Sequence, residues 1–348
     1  MTVAMAGSDE PIGVLVAGTA DAAVRVTPAP RRGLGGLVGG GLAILAIALT
    51  VAVFAGTIAP HGFDDQDLAF ALQPPVGAGG TWANTLGTDA LGRDVLSRIV
   101  YGARTSWLLA LASVLLAAVV GVTLGLVSGW AGGRIDAAIM SLVEAQLSLP
   151  YLLLAIAFMA LLGPSLINLV VVLVLRSWVV YARLVRVAVL SMKSREFVMI
   201  AVALGATDRR ILFRHIAPNV LAPALVVSSF QLAELIIVES SLGFLGLGVQ
   251  PPTPSWGSML SQGREYIASA WWLVTFPGLA IIVTVLGANL LGDALRDALD
   301  PRLRTSVGLS LWRRAMDAMV TRGKGSRRST ALGEGAVEGH LERGGGER

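Results

Sequence analysis

Apolar runs long enough to cross a lipid bilayer recur along this chain, and no other feature restricts its fold as much. A helix needs about 20 mostly apolar residues to span a hydrocarbon core of about 30 Å. Such runs read at Leu34–Ala59, Thr105–Trp130, Ala137–Leu162, Leu166–Leu190, Pro218–Leu245 and Ala270–Leu295. The first exceeds a secretory h-region of about 7–15 residues and reads as a retained anchor. In a bilayer every backbone polar group must be satisfied internally, so the prediction is an all-α integral membrane protein with six transmembrane helices. The composition agrees: 54% of the 348 residues are hydrophobic and only 14% are charged, against roughly a quarter charged in soluble domains. With no cysteine there is neither a disulfide framework nor a thiolate site, and three histidines far apart in sequence offer little to a metal.

The basic residues set an orientation. With the N-terminus in the cytoplasm, inside segments carry Arg25, Arg31, Arg32 and Arg134. They also carry seven cations between Arg183 and Arg214, and a basic tail from Arg296 onward. The outside segments hold Arg93, Arg98, Arg104 and Arg264. By the positive-inside rule both termini are cytoplasmic. The net charge of +4 is then a topology signal, and nucleic acid is not a partner.

Residues 60–104 read as a long extracytoplasmic loop that ends in a short interfacial helix over 92–101. There Val95, Leu96, Ile99 and Val100 oppose Arg93, Asp94 and Arg98. Trp82, Trp107, Trp256, Trp271 and Trp272 fall where an aromatic belt would lie, or simply pack there. The rigid turn Gln250–Pro254 is a connecting loop, or a contact or plug at the outer opening. Residues 1–33 and much of 305–348 have the composition of disordered cytoplasmic tails. Leu309, Trp312, Met316 and Met319 recur at helical spacing within the second tail.

The connection 194–218 is too patterned for a linker. Glu196–Leu204 suits a short helix, Gly205 breaks it, Thr207 caps a second helix, and Asp208 is favourable in its first turn. Ile211, Leu212 and Ile216 form an apolar side beside Arg209, Arg210 and Arg214, and Pro218 marks the turn into the next span. Two short helices at a membrane surface suit docking against a soluble partner; the plain alternative is an ordinary positive-inside loop.

This stretch resembles the EAA loop of ATP-binding-cassette importer permeases, with Gly205 and Pro218 at the family's spacing. Residues 87–98 (Gly-Thr-Asp-Ala-Leu-Gly-Arg-Asp-Val-Leu-Ser-Arg) and 243–257 (Gly-Phe-Leu-Gly-Leu-Gly-Val-Gln-Pro-Pro-Thr-Pro-Ser-Trp-Gly) resemble the dipeptide/oligopeptide/nickel subfamily. So do residues 291–303 (Leu-Gly-Asp-Ala-Leu-Arg-Asp-Ala-Leu-Asp-Pro-Arg-Leu). The similarity is to the second, C-type permease and covers roughly residues 34–304. It implies a type I importer permease fold, with a five-helix core over 105–304 following a first segment over 34–104. It also implies a bacterial plasma-membrane location and a coupling loop at 195–217 built on Glu196, Ala201, Gly205, Ala206, Asp208, Arg209, Arg210 and Pro218. The implied partners are a B-type sister permease, two ATPases, an extracytoplasmic substrate-binding protein and membrane lipid. The cargo would be a dipeptide or oligopeptide, with nickel or another small solute as the alternative. The family's Glu-Ala-Ala reads Met199, Ile200, Ala201 here, so its acid is absent, with Glu196 nearby.

No GxxxxGK[ST] phosphate loop occurs. The chain is therefore expected to bind no cofactor and to be no enzyme, leaving ATP and Mg to partner subunits. A secondary transporter would leave 194–218 unexplained, and no GxSxG elbow supports an intramembrane hydrolase. Ionisable residues inside spans mark functional positions: Glu144, Arg176, Glu234 and, nearer the outer face, Glu239. Arg176 and Glu234 lie near mid-span on antiparallel helices. They could pair, or one could face a water-filled pathway; Glu239 is a candidate for the mouth.

Overall fold

A computed structural model describes residues 34–299; the readings made for 1–33 and 305–348 lie outside the described residues. The described chain is helical, with one isolated bridge between Thr88 and Asp94. The elements are α1 (Leu34–Val53), α2 (Ala55–Ile58), α3 (Val95–Ala131), α4 (Gly133–Leu147), α5 (Tyr151–Leu162), α6 (Leu166–Lys193), α7 (Glu196–Ala203), α8 (Asp208–Ile211), α9 (Ala217–Phe244), α10 (Trp256–Gly263) and α11 (Trp272–Leu299). Among the described residues four helices are long and apolar enough to cross a membrane, or five if the bent pair α4–α5 is one span. The apolar stretch of α1 described in full, Gly39–Val53, is shorter.

α3 and α6 make the largest helix–helix contact. Lipid tails are as apolar as leucine, so helices in a membrane associate by close packing, which small residues permit. Gly121, Gly125 and Gly129 recur every fourth position and share one face of α3. A Cβ at Gly121 would sit 2.3 Å from the Trp178 carbonyl oxygen. At Gly125 it would sit 2.6 Å from that of Ala182, and at Gly129 2.7 Å from Val189 Cβ. α9 packs on α3, α6 and α11, and α1 lies outside against α11 and α3. The core between them is buried Leu109, Leu169, Leu173, Leu235 and Ile236.

Three expectations are corrected. The short helix over 92–101 is the first turns of α3, which runs unbroken through 104 and 105 for 37 residues. Its polar residues do not face water. Arg93, Asp94 and Arg98 are 7%, 4% and 3% exposed, because Asp94 caps α3 by accepting from the Ser97 amide at 2.8 Å and both arginines bond Asp89. The third span is not straight: α4 and α5 meet at 90°. Pro150 cannot donate an amide, and its ψ of 118° is non-helical. Pro218 makes no turn. A π turn over Leu212–Ile216 joins α8 to α9, and residues Asp208–Phe244 form one long helix. The wider turn lies where the proline ring would press on the preceding turn's carbonyl. The tryptophans are mostly packing residues: Trp107, Trp256 and Trp272 are buried, while Trp82 and Trp271 are exposed.

The two ends of the bundle differ. At the elbow end α7 and α8 fold between α6 and α9. At the loop end, residues 59–94 pack on α11 through the Trp272 indole, which donates to the Thr88 carbonyl at 3.1 Å, and on α10 through Arg93, which donates to Gln262 at 3.4 Å. The Gln250–Pro254 turn leads into α10, whose start is a capping box between Ser255 and Ser258.

Candidate functional site: the elbow and the mid-span polar seam

The elbow is built by a chain reversal that only a few residues permit. Lys193 closes α6 and donates to the Trp130 carbonyl at 2.7 Å, its ammonium 5.2 Å from that indole's centroid. α7 then ends in a Schellman motif: the Gly205 amide donates to the Val202 carbonyl at 2.9 Å, and the Ala206 amide to Ala201 at 3.0 Å. Gly205 has φ of +76°, which costs an L-residue about 1–2 kcal/mol. Thr207 holds the cap position of α8 without a side-chain cap bond, correcting the expected one; its carbonyl receives the Ile211 amide at 3.1 Å.

Val198, Ile211 and Ile216 are buried against Val185, Val189 and Val220, with Ala201 and Ala206 half-buried beside them. The opposite face is apolar too. Phe197, Met199, Ile200, Val202 and Leu204 are 42%, 54%, 58%, 54% and 82% exposed, and Phe213 is 68% exposed. Glu196, Asp208, Arg209, Arg210 and Pro218 are exposed around it. A contiguous exposed apolar patch with a charged rim marks an interaction surface. Met199 extends this apolar face.

Near mid-span, Arg176 on α6 donates to Glu234 on α9. The pair is one of a seam. Gln231 donates to Glu234 Oε2 at 3.2 Å, and the Ser177 hydroxyl donates to Gln231 Oε1 at 3.2 Å. The Arg176 guanidinium lies 5.5 Å from the Tyr151 ring centroid. Gln146, just before the α4–α5 break, accepts from the Trp178 indole at 2.7 Å and donates to the Leu175 carbonyl. The Arg176 and Glu234 side chains are 30% and 38% exposed in the isolated chain. Charges at that depth do not face lipid cheaply, so this face of α5, α6 and α9 belongs against protein or water. Sequence reasoning that looked only for formally charged residues missed Gln146, Tyr151 and Gln231. The i,i+3 spacing of Gln231 and Glu234 on one helix face was the available signal.

The other two candidates lie elsewhere. Glu144 is exposed on α4, with no ion-pair partner among the described residues. Glu239 is fully buried, which corrects its placement at the mouth. Its Oε2 accepts from Ser106 at 3.1 Å, and the Ser106 oxygen accepts from the Trp256 amide at 3.4 Å. This ties α3, α9 and α10 at the loop end. The 243–257 motif serves the same junction: a Cβ on Gly243 would lie 2.9 Å from the Gly257 backbone.

Residues 121–305 match the family model described as binding-protein-dependent transport system inner membrane component. The chain is 47% identical over 275 residues to the dipeptide transport system permease protein DppC of Escherichia coli, covering 79% of this chain and 91% of that protein. It is 45% identical over 269 residues to the di/tripeptide transport system permease protein DppC of Pseudomonas aeruginosa (77% and 89%). Against DppC of Haemophilus influenzae it is 42% identical over 275 residues (79% and 92%). With several spanning helices, an exposed elbow and these relatives, the chain is a multi-pass membrane protein that belongs to the family of binding-protein-dependent transport system inner membrane components, the permeases of ABC importers.

Proposed function

We propose that this chain is the C-type permease subunit of an ATP-driven importer of dipeptides or oligopeptides in a bacterial plasma membrane. It forms the translocation path with a B-type sister permease. α1 completes six spans, both termini are cytoplasmic, and the elbow end faces the cytoplasm, in line with the cations at Arg134, Arg183, Arg186, Lys193, Arg195, Arg209, Arg210 and Arg214. The chain couples to the two ATPase subunits through the elbow, and a substrate-binding protein meets the loop end. The chain itself is no enzyme and binds no cofactor; ATP and Mg act in the ATPases. The names of the relatives support peptides over nickel as cargo.

The observation that carries the reading is the elbow: an apolar face open to the outside, held on a second apolar face buried in the bundle. The coupling path follows from the backbone. Asp208–Phe244 is one helix, about 55 Å long at 1.5 Å per residue. It runs from the elbow past Glu234 to Glu239 and α10. A displacement of the elbow when the ATPases close is therefore delivered both to the mid-span pair and to the loop-end junction, and turns the path from inward- to outward-facing. An ATP-independent transporter would have no use for such a face.

The test is peptide uptake by the reconstituted complex carrying Phe197→Ser together with Leu204→Ser. Retained assembly of the two permeases with loss of ATPase binding and of uptake supports the reading. Uptake at the unaltered rate contradicts it.

A further inference from the structure

A cavity of about 510 Å³ opens at the loop end between the close of the 59–94 segment, the first turns of α3, and α10. Its volume falls within the range of about 300–1,000 Å³ usual for small-molecule sites. Its wall has an unusual charge pattern. Arg93, Arg98 and Arg264 line it against only two acids, Asp89 and Glu265, so the lining carries one positive charge in excess. Asp94, which caps α3, is not among the lining residues.

The donors also outnumber the acceptors. Arg93 Nε donates to Asp89 Oδ2 at 2.7 Å, and Arg98 donates to the same oxygen. Gln262 Oε1 accepts from both guanidiniums, at 3.4 Å from Arg93 and 2.9 Å from Arg98. Asp89 Oδ1 is occupied by the amides of Leu91 and Arg93, at 2.9 and 3.0 Å. Two guanidiniums with five N–H donors each thus share one carboxylate oxygen and one amide oxygen, and Arg98 Nε has no partner among the described residues. Both arginines are more than nine-tenths buried. A second carboxylate is the group that complements paired guanidiniums.

We infer that this cavity is a carboxylate site that receives the C-terminal carboxylate of the peptide on its way from the binding protein into the membrane path. The inference rests on the peptide-importer reading above. Every free peptide carries that group whatever its side chains, so a site for it holds cargo without selecting sequence.

The test uses the complete transporter, both permeases and both ATPases, in lipid nanodiscs without the binding protein. The probe is radiolabelled dialanine, with dialanine amide as competitor. Expected are saturable dialanine binding, competition by the amide at least tenfold weaker than by dialanine, and at least tenfold weaker dialanine binding in Gln262→Glu. That substitution places a carboxylate between the two guanidiniums. Arg264→Gln, at an exposed position, weakens binding a few-fold. No saturable binding, equal competition by the amide, or unchanged binding in an assembled Gln262→Glu complex overturns the site. If Gln262→Glu fails to assemble, the amide comparison on the unaltered transporter decides. Loss of binding-protein docking in Gln262→Glu with dialanine binding intact assigns the carboxylate to that protein instead, and also overturns it. Uptake of dialanine into proteoliposomes with binding protein and ATP separates the two levels. Its absence sinks the importer reading together with the site, whereas uptake without carboxylate preference sinks the site alone.

Discussion

Arg176 on α6 and Glu234 on α9 form an ion pair at matched depth in the bundle. Each lies about 15 Å, at 1.5 Å per residue, from the loop-end terminus of its helix, Leu166 and Phe244. Breaking a buried pair by removing one partner costs about 3–5 kcal/mol, whereas replacing both costs much less. The partial exposure of this pair puts it at the lower end. Arg176→Leu and Glu234→Leu should each lower the assembled complex in membranes several-fold, and the double variant should recover most of it. The charge swap Arg176→Glu with Glu234→Arg should recover it too. Blue-native gels of the complex measure all four. A double variant worse than either single one rules out the pair as the reason for the two charges.

Gly205 sets the angle of the elbow. Its φ of +76° disfavours L-residues by about 1–2 kcal/mol, and no atom lies within 4 Å of a Cβ there, so conformation and not space limits the position. Transport should fall in the order Gly, Asn, Ala, Val at 205, because asparagine tolerates the left-handed region best after glycine. Insertion should remain normal. Uptake rates at matched expression check the order; equal rates for Gly and Val refute it.

The α3–α6 seam should be intolerant of volume. Overpacking a close contact costs about 1–3 kcal/mol. Gly125→Leu is therefore expected to lower the melting temperature of the detergent-solubilised complex more than Gly125→Ala does. The same exchange at Gly132, where a Cβ meets nothing but φ is +64°, disturbs the turn and not the seam. A Gly125→Leu complex melting with the unaltered one contradicts the packing.

Much of this was legible from the sequence, for identifiable reasons. Apolar runs of bilayer length located α6, α9 and α11 because hydropathy is a property of the segment itself. Gly205 was legible because a left-handed cap has a residue signature. The continuity of α3 was not, since Arg93 and Arg98 look solvent-facing until Asp89, four residues before Arg93, and Gln262, from α10, are brought to them. The bend at Pro150 was overlooked because 137–162 averages apolar over the length of a span, although Pro150 within a helical pattern, after Glu144, Gln146 and Ser148, is itself a break signal. Glu239 looked like a mouth residue because its partner Ser106 lies 133 residues away in sequence.

Glu239 leads to a further expectation. A buried acceptor left without its partner, or a donor without its acceptor, costs about 1–3 kcal/mol. Glu239→Gln retains an acceptor for the Ser106 hydroxyl and should keep α10 in place, while Glu239→Leu should loosen it. Amide hydrogen exchange over residues 255–263 reads this directly. Faster exchange in Leu but not in Gln is expected, and equal protection in both contradicts the role of the carboxyl oxygen.

On the function proposed above, the ATPases engage this chain at the exposed face of α7 and its C-terminal cap. The protein has no cysteine, so Leu204→Cys introduces the only thiol of the chain, at a position 82% exposed. In the complete transporter, a short thiol-specific photo-crosslinker on Leu204→Cys should join this chain to an ATPase subunit. The yield should change between nucleotide-free and ATP-bound states, and the joined complex should lose dialanine uptake. A label that stays freely reactive with both ATPases bound, or that crosslinks without any dependence on nucleotide, would contradict coupling through this face.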